Sequence, residues 1–211
     1  MQLFPRSLNY VPLLVALAAM LGGAGITFAI WYYGSPWNTQ VGYAPVQPVA
    51  YSHKLHAGEL GIDCRYCHAN IERSQEAMIP PTQTCMGCHA VIKTDSVRLQ
   101  PVRDSWTSDK PLPWVRIHKL PEHAYFDHSV HLAVGVGCTS CHGRIDQMEV
   151  VRQDQPLSMS WCLDCHRDPG KHVRPKDQIT NMSWEPSKDE AELVAAAAQV
   201  NPPQHCSGCH R

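Results

Sequence analysis

The pattern Cys-x-x-Cys-His occurs five times in this chain and uses every cysteine. The copies are Cys64-Arg-Tyr-Cys67-His68, Cys85-Met-Gly-Cys88-His89, Cys138-Thr-Ser-Cys141-His142, Cys162-Leu-Asp-Cys165-His166 and Cys206-Ser-Gly-Cys209-His210, numbered here motifs 1 to 5. Ten cysteines in a secreted chain would suit a disulfide framework, but the spacing points to other chemistry. In one helical turn, residues i, i+3 and i+4 share a face. Two thiols so placed can form thioethers to the vinyl groups of a haem while the adjacent His reaches the iron from the same side. Zinc sites and redox-active dithiols also use Cys-x-x-Cys, yet neither needs a His after every second Cys. The sequence therefore predicts five c-type haems. Cys64, Cys67, Cys85, Cys88, Cys138, Cys141, Cys162, Cys165, Cys206 and Cys209 attach them, and His68, His89, His142, His166 and His210 are the proximal iron ligands.

The rest of the composition fits that demand. Only 8% of the 211 residues are aromatic, three are Phe and 17 are Pro. The apolar content sits in one N-terminal run and a short Ala-rich stretch near the end. Such a chain buries too little of its own surface to offset its ordering entropy. Five haems would supply the bulk. The expected fold class is a multihaem cytochrome c, mostly irregular chain with short helices around a stack of five haems, plus one N-terminal transmembrane helix. Lys and Arg number 18 against 19 Asp and Glu, so nothing points to nucleic acid as a partner.

Eight further histidines are His53, His56, His118, His123, His128, His131, His172 and His205. An electron carrier fills both axial positions of its iron, whereas an enzyme keeps one open. Tyr51-Ser-His53-Lys-Leu-His56 precedes motif 1 and Phe126-Asp-His128-Ser-Val-His131 precedes motif 3. Motifs 2 and 4 follow in turn, so a two-haem module repeats over 53–89 and 128–166. On a helix, His-x-x-His presents both rings on one face, one for the following haem and one for a neighbour. His53, His56, His128 and His131 are the expected distal ligands. His118 and Met159 are candidates for the fifth place, with Met78 behind them; simple packing beside a haem is the competing role for Met159. His123, His172 and His205 read as solvated. Arg65, Arg73, Arg116, Arg144 and Arg167 lie near motifs and could pair with haem propionates, though each taken singly reads as a solvated surface charge.

Residues 1–10 read as a cytoplasmic N-terminus, 11–33 as a transmembrane helix, 34–50 as an extended linker and 51–211 as the pentahaem domain. Val11 to Tyr33 carries no charge and would span about 34 Å as a helix, enough for a bilayer core. Trp31, Tyr32 and Tyr33 suit an interfacial belt, and Ala18, Gly22, Gly23 and Gly25 leave a small-residue surface for another helix. The stretch exceeds the apolar core of a cleaved signal peptide, which favours a retained anchor. Arg6 before the span, with no Lys or Arg after it until Lys54, places the N-terminus inside. Haem attachment to free thiols belongs to the outer face, so the haem domain is expected in the periplasm or its equivalent. Lys188 to Val200 reads as a helix.

Tyr51-Ser-His-Lys-Leu-His-Ala-Gly-Glu-Leu-Gly-Ile-Asp-Cys64, Pro80-Pro-Thr-Gln-Thr-Cys85, Trp114-Val-Arg-Ile-His-Lys-Leu-Pro121 and Gly143-Arg-Ile-Asp-Gln-Met-Glu149, with the single N-terminal span, resemble the pentahaem cytochrome c subunit of alternative complex III. The resemblance covers almost the whole chain. It implies a quinol:electron acceptor oxidoreductase of the bacterial inner membrane, in a respiratory or photosynthetic chain. Quinol would be oxidised in multi-span partner subunits. Electrons would pass through an iron–sulfur subunit and this chain and leave by a monohaem cytochrome c. The chain itself would relay and would hold no catalytic residue. The alternatives are a multihaem reductase enzyme with an open iron, and a quinol-oxidising haem anchor feeding a soluble reductase.

Overall fold

A computed structural model describes residues 4–186 and 200–211. The expected helix from Lys188 falls almost wholly outside these residues. The chain divides into two compact units, residues 1–40 and 41–211.

The first unit is helical because nothing in it competes with helix. A 3₁₀ turn, Arg6–Tyr10, runs into helix α1, Val11–Gly34, with Pro12 in the first turn, where its missing N–H is no loss. None of the residues of α1 is buried, and they are apolar all round. By length and composition Arg6–Gly34 is able to cross a membrane, with a mean hydropathy of 2.2; an N-terminal signal sequence would pass the same test. Aromatic rings gather at its C-terminal end, with Phe28 and Trp31 5.8 Å apart and Tyr32 edge-on to Tyr33 at 5.5 Å. Helix α2, Pro36–Thr39, follows and stops at Gln40, which is left-handed with φ 58°.

The second unit is built from one-to-two-turn helices joined by irregular chain, and among the described residues it has no β-strand. The helices are α3 (Cys64–Cys67), α4 (Thr82–His89), α5 (Gln100–Ser108), α6 (His128–Ala133), α7 (Thr139–His142), α8 (Met159–Arg167) and α9 (Cys206–Cys209). Pieces this short do not persist alone, and side-chain caps fix several of them. Asp63 accepts from the Arg65 N–H at 2.8 Å, Asp127 from the Ser129 N–H at 2.8 Å and Ser158 from the Trp161 N–H at 3.3 Å. All five attachment motifs thus sit on short helices, as the shared face of i, i+3 and i+4 requires.

The protein's own apolar core is small. Among the described residues its buried hydrophobic side chains are Val49, Val102, Met148, Val173 and Ile179. Residues 41–50, part of the extended linker expected over 34–50, hydrogen-bond to later residues of the second unit. Gly42 N–H donates to the Gln153 carbonyl at 2.8 Å, and the Gln47 amide pairs with both backbone groups of Val115 at 2.9 Å. The two copies of His-x-x-His also differ. The second lies on α6, but the first enters a π-helix, Lys54–Glu59. That wider turn seats Gly58 directly against the Asp146 carbonyl, where a Cβ would clash.

Candidate functional site

Each proximal histidine of the sequence reading emerges from the end of its motif helix, and four of the five are oriented by a backbone carbonyl. The Nδ1–H of His68 donates to Met78 O at 2.7 Å, that of His89 to Ile92 O at 3.0 Å, that of His166 to Pro203 O at 2.8 Å and that of His210 to His123 O at 3.1 Å. A carbonyl only accepts, so each bond puts the proton on Nδ1 and leaves Nε2 as a free metal-binding nitrogen. The same holds for three of the four expected distal histidines. His56 donates to Ser52 O at 2.9 Å, His128 to Gln75 O at 2.8 Å and His131 to Asp127 O at 2.7 Å. The fourth, His53, has a buried Nδ1 with no partner.

The rings face one another across the expected gaps. His56 and His89 have centroids 6.2 Å apart, His128 and His142 6.4 Å, and His131 and His166 6.2 Å. Two imidazoles trans on one metal, each bonded at about 2 Å, place their ring centres roughly 6 Å apart. The second His of each pair thus faces the proximal His of the second motif in its own module. Tyr51 stacks on His56 at 4.5 Å, and Phe126 packs on His131 at 4.5 Å, so the aromatic that opens each module steers its second histidine.

His142 stands in the middle of a histidine cluster. Its Nδ1 is 3.4 Å from His118 Nε2, with the two rings edge-on at 4.5 Å. Desolvation pushes His142 down to about 3, with added repulsion from His118, His128, His68 and His53. Burial likewise lowers His53 to about 4, with His68 and His56 adding to it. Histidines kept neutral this way offer lone pairs, the form in which imidazole binds iron. His118 therefore lies beside the proximal His of motif 3. The histidine beside motif 5 is His123, whose ring is 5.5 Å from that of His210. Met159 is exposed at the start of α8. Met78 takes part through its backbone; it is held left-handed at φ 57°, which turns its carbonyl to His68 while its sulfur accepts from Asn70 at 3.6 Å.

Four of the arginines considered for propionates pair with neighbouring carboxylates. Arg65 is bidentate to Asp63 at 2.9 and 3.1 Å and Arg144 to Asp146 at 2.8 and 2.7 Å. Arg167 meets Asp164 at 3.6 Å and Arg116 meets Glu76 at 3.9 Å. Sequence reasoning missed Arg174, which backs motif 3. Its guanidinium donates to Thr139 Oγ1 at 2.9 Å and Asn181 O at 3.0 Å and lies over Trp184. The flanking Gly137 carries no signal beyond its size, and it admits the guanidinium because it lacks a Cβ.

Among the described residues no group of three or more His, Cys, Asp or Glu side chains converges as a metal cage. Paired thiols beside facing imidazoles fit covalently held haem, whose porphyrin supplies the equatorial ligands that such a cage would otherwise provide.

Comparison with known proteins agrees. Residues 124–211 match the family described as cytochrome c7 and related cytochrome c. Over 165 residues the chain is 26% identical to the menaquinone reductase multiheme cytochrome c subunit of Nitratidesulfovibrio vulgaris, covering 78% of this chain and 67% of that one. What these similarities support is a multihaem cytochrome c whose chemistry is electron transfer, similar to cytochrome c7 in its C-terminal part and to a menaquinone reductase cytochrome subunit over most of its length.

Proposed function

We propose that the chain carries five c-type haems, one at each motif, and works as the membrane-anchored electron relay of a quinol:electron acceptor oxidoreductase of the alternative complex III type. The observation that carries this reading is the set of facing imidazoles at 6.2, 6.4 and 6.2 Å, which leaves no substrate position on the irons they cap. His56, His131 and His128 serve haems 2, 4 and 3, and His53 serves haem 1. The fifth haem takes its distal ligand from His123, His118 or Met159. When bound, haem supplies reversible one-electron chemistry. The residues of this chain orient the ligating rings through Nδ1, and burial favours the neutral form of His53, His131 and His142.

Helix α1 holds the chain in the bacterial cytoplasmic membrane, with residues 41–211 on the periplasmic face. Partners are multi-span quinol-binding subunits, an iron–sulfur subunit and a monohaem cytochrome c. One span cannot enclose a quinone, since such pockets are lined from several sides. Isolated chain should accept electrons from a reductant, bind carbon monoxide poorly and show negligible quinol oxidation; the purified complex should oxidise quinol and reduce these haems. Quinol oxidation by the isolated chain at the rate of the complex, or turnover of nitrite or hydroxylamine, would refute the relay. The name of the relative motivates a second reading in which the complex reduces a quinone. It is separated by the direction of net flow, through haem oxidation on adding quinone rather than haem reduction on adding quinol.

A further inference from the structure

The repeat of two-haem modules suggests a path in sequence order, but the contacts between motifs run otherwise. Motif 1 lies against motif 3. One strap ties both. Cys138 N–H donates to Ile179 O at 3.1 Å, and the next residue, Thr180, donates from Oγ1 to Asp63 at 2.8 Å. The modules touch again where Lys54 N–H donates to Met148 O at 3.1 Å and His128 N–H to Gln75 O at 3.1 Å. Motif 2 lies on the other side of motif 1. The Tyr66 hydroxyl reaches Gly87, and His56, just ahead of motif 1, faces His89 of motif 2 at 6.2 Å. Motif 4 adjoins motif 3, since His131, whose carbonyl accepts from Val136 N–H at 3.0 Å just ahead of motif 3, faces His166 at 6.2 Å. Motif 5 adjoins motif 4. His166 donates to Pro203 O at 2.8 Å, and Gln204 donates to His166 O at 3.3 Å.

Exposure marks the ends of this series. Of the ten attachment cysteines, Cys88 and Cys206 are exposed and the other eight are partly covered. One belongs to motif 2 and the other to motif 5.

We infer that the haems follow one another in the order 2, 1, 3, 4, 5, with the two modules joined head to head through haems 1 and 3, and that haems 2 and 5 are the exposed ends through which electrons arrive and leave. This order rests on the relay reading. It gives haem 1, first in sequence, an internal place, and makes haem 5 an extension of one arm of a near-symmetric four-haem core.

The test is to locate the five irons in the haem-loaded full-length chain within its native complex, by anomalous diffraction or electron cryo-microscopy. The nearest iron pairs should be 2–1, 1–3, 3–4 and 4–5, with partner subunits nearest to haems 2 and 5. Haem 2 lying beside haem 3, or haem 1 at an end of the series, would overturn the order. The relay reading fails separately: an iron with an open sixth position facing a substrate cavity sinks it whatever the order of the irons.

Discussion

A histidine becomes a haem ligand when one nitrogen is occupied and the other is aimed. His56 and His131 satisfy both conditions, with Nδ1 on the Ser52 and Asp127 carbonyls and rings facing His89 and His166. Replacing either with Ala should turn one haem high-spin or labile, and the same is expected for His53 and His128. Low-spin spectra like the wild type in all four variants would contradict these assignments. Asp63 makes a different prediction. Hydrogen bonds from Arg65 hold its carboxyl at about 2, below the ordinary 3.8, with Thr180 adding to them. A depressed carboxyl stabilises the fold fully above its unfolded value, and that contribution is lost as pH falls through the folded value. Acid unfolding monitored by the haem spectrum should therefore be less steep between about pH 4 and 2 in Asp63→Asn, and an unchanged profile would remove Asp63 from the strap that ties motif 1 to Thr180.

At the scale of elements, the attachment helices were legible because their chemistry dictates the spacing; a motif that presents two thiols and a ring on one face has to be a helical turn. The His-x-x-His segments were legible as helical but not as different helices. The first is a π-helix that seats Gly58 against the Asp146 carbonyl, a contact 88 residues away that no local pattern announces. Gly58→Ala should lower stability by about 1–3 kcal/mol, seen in thermal unfolding of the haem-loaded protein. No loss would mean that the contact relaxes freely. The packing of residues 41–50 was hidden for a similar reason: Pro45 and Pro48 look like linker residues, yet Gln47 supplies both hydrogen bonds to Val115. Helix α1 was read to within one residue of its end, since an uncharged apolar run has few alternatives. Protease added to the outer face of intact membranes should digest the haem domain and spare the first ten residues. A protected haem domain with loss of an N-terminal tag would reverse the topology.

For the molecule as a whole, the sequence disclosed the parts and left their arrangement open. Motif counting gives five haems but carries no order, because order depends on which distant segments meet, as Cys138 and Asp63 are tied through Ile179 and Thr180. His123 shows the same limit. It reads as solvated beside Pro121, and it is exposed; what the sequence did not show is that the C-terminal segment returns, with Tyr125 N–H donating to Cys209 O at 2.6 Å, and sets its ring 5.5 Å from that of His210. The scarcity of buried apolar side chains is the physical link between the two levels: a chain with so small a core of its own folds around its cofactors. The central claim is thus the haem count, and intact mass spectrometry of the mature chain tests it most directly. The mass should exceed that of the polypeptide by five haems, with none of the ten cysteines open to alkylation. Four or fewer haems after full maturation, with a reactive Cys-x-x-Cys pair remaining, would contradict it.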